Sequence, residues 1–326
     1  MASSVDPMAV TATLAGFLAA GAACALCVHA GIPLLVATDA IDQAGAAPSP
    51  RSGMGAAIIV PAIYAALTVV VLAVARRREW FRIDAGVIPP EKNAGVLGFG
   101  FFALLLAQAF GAYVAARLLG LSGGASDRRE RALLMLGGYA IQLPLALALG
   151  LTFGVLRKRA GALVGAGLAA LALAWPAIQF AYIVAASTQK ALTEGAPPSV
   201  GHETLAEIAS GFTDPWSLLM IGFVVVLAPL IEEIGYRGAL QGCLRSLRLG
   251  AWPAIIVTSA VFVVMHLPAL AMDGLAGSLA QLFVLSVALG LIRERSKSLV
   301  PCVVAHAGFN AANIVLASFL ATLAAP

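Results

Sequence analysis

Nine stretches of this chain are apolar for 15 to 29 residues each: 8–36, 54–75, 94–116, 132–156, 161–186, 216–243, 252–270, 278–292 and 299–320. Eight of them contain no Asp, Glu, Lys or Arg at all. A helix needs about 20 apolar residues to cross the hydrocarbon of a bilayer. The runs are continuous and lack the in–out alternation of a membrane barrel strand. The fold class expected is therefore all-α, a polytopic transmembrane bundle of eight to nine helices. The eighth run is short for a crossing, and the first and sixth are long enough to tilt or overshoot.

Composition agrees. Charged residues make up 11% of the chain against about 25% in soluble domains, too few to clothe a water-facing surface. The partners implied are membrane lipid and a membrane-associated substrate. The net charge of +4 calls for no nucleic acid, because Lys and Arg collect in cytoplasmic loops of membrane proteins. Cys24, Cys27, Cys243 and Cys302 lie in or beside apolar runs, so they read as packing residues and not as a disulfide framework. The N-terminus has no charged n-region, so the first run reads as a retained helix.

With a cytoplasmic N-terminus, the inside loops hold Arg76, Arg77, Arg78, Arg82, Lys92, Arg157, Lys158, Arg159, Arg237, Arg245, Arg248, Arg293, Arg295 and Lys297. The outside loops hold Arg51, Arg117, Arg128, Arg129, Arg131 and Lys190. Fourteen against six favours this orientation, although the 117–131 loop runs against it. Three regions follow: N-terminal helices of unassigned role over 1–187, a polar loop over 188–215, and a core over 216–320. The loop, with Pro197, Pro198 and acids from Glu203 to Glu207, reads as a connector, with a gate as the sharper alternative.

The sixth run is the exception to the charge-free rule, for it contains Glu232, Glu233 and Arg237. Counted from Trp216, Glu232 lies about 24 Å along a helix, at or inside the far edge of a core of about 30 Å. An acid at such depth costs roughly 2.5–3.5 kcal/mol on insertion scales and marks a functional site by default. Glu233 and Arg237 are spaced i,i+4 with the Glu N-terminal, the favoured order for an intrahelical ion pair. Glu232 is rotated about 100° away and has no partner in its own helix, which leaves it as the candidate general base. A purely structural ion network is the blander alternative.

Of four histidines, His202 is in the loop and His29 is alone in the first run. His266 and His306 sit in the seventh and ninth runs. Phe262 is i−4 from His266, and Asn310 is i+4 from His306, so each pair shares a helix face. Asn313 continues the His306 face. Buried polar groups in lipid need partners, and these can serve one another.

Glu232-Glu233-x-x-x-Arg237, Phe262-x-x-x-His266 and His306-x-x-x-Asn310, in this order on successive apolar helices, resemble the three motifs of the CPBP family. These are the CAAX prenyl protease and bacteriocin-processing intramembrane endopeptidases, also called type II CAAX endopeptidases or the Abi family. The resemblance spans 216–320 and departs at no motif position. It implies an intramembrane peptidase, classically acting on prenylated C-termini, and points to a bacterial inner membrane.

In the mechanism that joins both readings, Glu232 and His266 activate a water while His306 and Asn310 donate to the oxyanion. Glu233, Arg237 and Phe262 support them. No cofactor is required, but a divalent metal such as zinc, held by Glu232, His266 and His306, is the metalloprotease alternative. No HExxH is present, and a metal-free site better accounts for Asn310. The rivals from another class are a non-catalytic scaffold or immunity-type protein and, less favoured, a transporter, for which no internal repeat is found.

Overall fold

No water is available inside a bilayer, so every backbone amide must find its partner within its own segment. Charge-free runs accordingly fold as helices. The computed structural model describes residues 52–83, 94–121, 127–152, 160–193 and 203–324. Among these residues there are nine helices and no strand: α1 Ser52–Arg77, α2 Ala94–Leu119, α3 Arg128–Thr152, α4 Ala160–Thr193, the short α5 Glu203–Ala209, α6 Pro215–Ser246, α7 Ala251–His266, α8 Leu275–Ser296 and α9 Val300–Ala324. All but α5 are long and apolar enough to cross a membrane. The chain is an integral, multi-pass membrane protein. The expected first crossing, with Cys24, Cys27 and His29, lies outside the described residues, as does His202.

Three expectations are corrected. The eighth run makes a full 22-residue helix, because Glu294 is buried against Arg245 and lets α8 continue through its charged end. The 188–215 stretch is not all loop: α4 runs on to Thr193, and α5 lies within it. Arg237, counted above among loop cations, is buried inside the bundle.

Most of the membrane-length helices expose large apolar side chains, as lipid solvation demands. In α2, Phe99, Phe102, Leu106, Phe110 and Tyr113 form an exposed stripe at i+3/i+4 spacing, while Leu97, Phe101, Leu104 and Gly111 are buried on the other face. Burial in lipid supplies no hydrophobic drive for helix association, so close backbone approach must do so. Gly111 and Gly137 show this between α2 and α3. A Cβ on Gly111 would stand 2.2 Å from the Gly137 carbonyl oxygen, and one on Gly137 would stand 2.4 Å from Ala115 Cβ.

Helix α6 is the axis, touching α2, α3, α7 and α9. Asp214 caps it by accepting from the Trp216 and Ser217 amides at 3.0 and 3.1 Å, with Pro215 at the first position. It is not a regular helix. Two wide π segments, Phe223–Leu227 and Ile234–Leu240, flank the α-helical stretch Ala228–Glu233. Such segments are rare and recur at functional sites. Here Pro229 matters: the Ala228 amide donates to the Phe223 carbonyl, an i−5 bond. In that register the donor owed to the Val224 carbonyl is residue 229, and proline has no N–H.

Packing at Gly137 yields a test. Gly137→Ala gains roughly 1 kcal/mol in helix propensity but overpacks a backbone contact, at about 1–3 kcal/mol. Its thermal midpoint in detergent falls, whereas Gly165→Ala, where a Cβ meets nothing within 4 Å, does not lower it.

Candidate functional site

The α-helical stretch of α6 presents the two glutamates to different surroundings. The Glu233 side chain is fully buried and accepts from Arg237 Nη1 at 3.0 Å, the i,i+4 pair expected from the spacing. The same oxygen, Oε1, accepts from His306 Nδ1 on α9 at 2.9 Å. Arg237, also fully buried, continues across to α8, donating from Nη2 to Ser286 Oγ at 2.8 Å and to the Ser286 carbonyl at 3.2 Å. Its guanidinium lies 5.0 Å from the Phe262 ring centroid. One ion network thus ties α6, α8 and α9 together.

Glu232 is 27% exposed along its side chain and stands across from both imidazoles. Its Oε2 is 3.9 Å from His266 Nε2 and 3.9 Å from His306 Nε2. That is too long for a direct hydrogen bond, and Oε2 is itself buried with no hydrogen-bond partner. The ring partners assign the protons. His266 Nδ1 is 2.7 Å from the Phe262 carbonyl, which can only accept, so Nδ1 carries the hydrogen and neutral His266 turns a bare Nε2 toward Glu232. Phe262, buried, sets this ring from both sides: its carbonyl takes the proton and its own ring lies 4.3 Å from the imidazole. The edge-on contact of Phe262 with His306, at 5.9 Å, orients the second ring as well.

Asn310, one turn beyond His306, donates from Nδ2 to the Val224 carbonyl at 2.8 Å. This is the oxygen that the wide turn and Pro229 leave without a backbone donor. The second hydrogen of that amide remains for another acceptor. Asn313 donates to the Phe309 carbonyl of its own helix.

Glu232, His266, His306 and Asn310 all line one cavity of about 580 Å³. Most of its wall is apolar, from Phe101, Leu104, Met135, Ile231 and Leu282 among others, with Tyr139 and Tyr236 beside the acid. Two buried amides also face it with unmet capacity: Gln142 Oε1 and Gln179 Nε2 make no hydrogen bond. The four residues proposed as catalytic line this cavity, and Glu233, Arg237 and Phe262 pack behind them against His306 and His266. Ser286, the Val224 carbonyl, Gln142 and Gln179 were not foreseen. The three side chains are polar groups in charge-free runs, the kind of signal that marked His266.

The geometry does not favour a metal centre. Two ligands of a tetrahedral zinc, each 2.0–2.1 Å from the ion, sit roughly 3.4 Å apart, closer than the 3.9 Å found from Glu232 to either imidazole. Among the described residues no group of three His, Cys, Asp or Glu side chains is arranged to hold a metal ion.

An acid, two imidazoles and an amide sunk in a multi-pass helical bundle are the arrangement that the three motifs led us to expect. Comparison with known families agrees: residues 214–312 match the family model described as type II CAAX prenyl endopeptidase Rce1-like. The matched segment runs from the cap of α6 past Asn310 and contains all three motifs, so the resemblance drawn from them is met. No curated protein and no solved structure gives a match to the chain.

The ion network makes the next test sharp. Arg237→Met leaves Glu233 buried without its cation and lowers stability by about 3–5 kcal/mol, read as a drop in thermal midpoint. Adding Glu233→Gln to that variant recovers part of the loss, since the uncompensated charge is then gone.

Proposed function

We propose that the protein is an intramembrane endopeptidase that hydrolyses a peptide bond of a membrane-associated polypeptide, with Glu232 as general base. The observation that carries this is the uncommitted Glu232 carboxylate, poised at one distance from two imidazole nitrogens on the wall of an apolar cavity. Glu232 Oε2 and the bare Nε2 of His266 are both acceptors. Oε2 is buried without a partner, so a small side-chain rotation on substrate binding admits the water, which points a hydrogen at each acceptor and a lone pair at the substrate carbonyl.

The step balances without a cofactor. The water oxygen bonds to the acyl carbon, and its proton passes to Glu232. Asn310, through its second amide hydrogen, donates to the developing oxyanion. His306 has committed Nδ1–H to Glu233, so it donates from Nε2 when doubly protonated, with Glu233 backing the charge. Glu232 then returns the proton to the leaving nitrogen as the C–N bond breaks. General-base action is worth typically 10²–10⁴ in rate and one oxyanion donor about 10²–10³. Positioning in a site with little water supplies much of what remains. In this reading residues 216–320 are the protease core, and the helices before residue 187 complete the cavity wall through Phe101, Tyr139 and Gln179.

The supporting roles are separable. Glu233 and Arg237 hold His306 and fix α6, and Phe262 sets both rings. Candidate substrates, from prenylated tails to leader peptides, share one demand, that the scissile amide reach the middle of the bundle.

Glu232→Gln is expected to reduce cleavage of membrane-anchored peptides by about 10²–10⁴ with no loss of thermal midpoint, because Glu232 makes no bond on which the fold depends. A folded Glu232→Gln protein that cleaves at the wild-type rate would sink the assignment. Asn310→Ala is expected to cost about 10²–10³ in kcat and also to destabilise by about 1–3 kcal/mol, since the buried Val224 carbonyl is left unpaired. The water-activation route further predicts that chelator-treated protein, checked by metal analysis, keeps its rate. Loss of activity on chelation with full recovery on adding zinc would replace it with the metal mechanism.

A further inference from the structure

Carboxamides are the most frequent polar groups in the cavity wall. Gln108, Gln142, Gln179, Gln281, Asn310 and Asn313 all line it, whereas among the described residues Glu232 is its one carboxylate and Arg131 its one Lys or Arg. A carboxamide carries a donor and an acceptor on one planar group, the same pair that a peptide unit carries. Such a lining suits a polypeptide main chain better than a charged ligand.

Two of the six are incompletely bonded. Gln142, on α3 and 5% exposed, directs Nε2 at two acceptors on α2, the Leu104 carbonyl at 3.1 Å and Gln108 Oε1 at 3.4 Å. Those acceptors fix which end of the amide is nitrogen, and they leave Oε1 without a donor. Gln179, also 5% exposed, comes from α4, which packs against α8 and α9 on another wall. Its Nε2 donates to nothing among the described residues. Both atoms are buried, so each bears the penalty of an unmet polar group. A Met or Leu of similar size would escape that penalty. One orphan is an acceptor and the other a donor, and the pair points to a ligand that supplies the complement of each.

We infer that Gln142 and Gln179 form a main-chain subsite of the cavity, Gln142 Oε1 accepting from a peptide N–H of the substrate and Gln179 Nε2 donating to a peptide carbonyl. The terminal torsion of a glutamine is broad, so a small turn of each amide carries its orphan atom to the bound chain. Resting on the peptidase reading above, this deepens it: the substrate segment lies extended in the site, because a helix spends its N–H and C=O groups internally and would offer neither. Recognition through main chain leaves side chains unread, so the subsite tolerates varied sequences. Both glutamines lie outside residues 214–312, the segment matched to the family. They are positioning residues, with no step in bond cleavage, and they give α3 and α4 a role toward the motifs on α6, α7 and α9.

Binding is measured in full-length Glu232→Gln protein, so that no turnover intervenes. The probe is a pool of dye-labelled, acyl-anchored peptides of randomised sequence in detergent micelles. Adding Gln142→Met or Gln179→Met is expected to weaken binding by about 3- to 10-fold, the worth of one net hydrogen bond. Gln179→Met does so without lowering the thermal midpoint, since the donor it deletes bonds nothing in the free protein. An ester scan reads the Gln142 contact from the substrate side. Peptide N–H groups of the probe are replaced by oxygen one position at a time, counted from the anchor. One position is expected to weaken binding by a similar factor when Gln142 is present and to have no further effect in Gln142→Met. Unchanged affinity in either variant overturns the inference, and so does a lowered midpoint for Gln179→Met or a scan with no position coupled to Gln142. Failure of the pool to bind at all overturns it too, because main-chain recognition does not depend on sequence. Cleavage of the same pool by wild type against Glu232→Gln tests the peptidase reading separately, so the two failures are distinguishable.

Discussion

Glu233 is the residue on which the architecture turns. A carboxylate with no exposure, deep in an apolar bundle, survives only if its charge is answered at close range. Arg237 answers it along α6, and His306 answers it from α9. Arg237 in turn needs acceptors, and α8 supplies them at Ser286. Each bond satisfies a group that would otherwise be stranded, so three helices are held in register by electrostatics where lipid offers no hydrophobic drive. A second buried cluster, Gln241, Arg245 and Glu294, repeats the device two turns further along the same pair of helices.

Local geometry follows from a few residues in α6. A regular helix through 223–240 would place Pro229 against the carbonyl of residue 225. The wide turn before it relieves that conflict and releases the Val224 carbonyl instead. Asn310 fills the vacancy in the hydrogen-bond ladder, and in doing so its amide is anchored at the cavity wall with one hydrogen committed. The second wide segment, Ile234–Leu240, carries Arg237. Irregular backbone at membrane depth is tolerated where it is buried in protein or lines a cavity, and α6 meets both conditions.

Much of this was readable before any coordinates, and for one reason. In a chain with almost no charges inside its apolar runs, each polar residue there had to be accounted for, which singled out Glu232, Glu233, His266, His306 and Asn310. The i,i+4 rule gave the Glu233–Arg237 pair because both partners lie on one helix. Partners on different helices were beyond it: nothing in the periodicity of α8 says that Ser286 faces Arg237, or that His306 bonds Glu233 through Nδ1 while its Nε2 faces Glu232. The wide turns were also hidden, since a π segment differs from an α-helix by one residue in the ladder and has the same apolar composition. The helix end at Glu294 was misjudged because its charge implied a loop, whereas a buried cation on a neighbouring helix kept it inside.

What separates the two adjacent glutamates is the last step. A peptidase in a membrane must bring water to one bond without hydrating the ion network that holds the site together, for a hydrated Glu233–Arg237 pair would lose most of its attraction to screening. One residue of helical rotation achieves this. Glu233 faces the protein with no exposure, and Glu232 faces the cavity with 27% of its side chain open. Adjacent in sequence, they sit in different solvents. The dry one is committed to structure, and the wet one, with no bond to break, is the one that the proposed reaction uses as its general base.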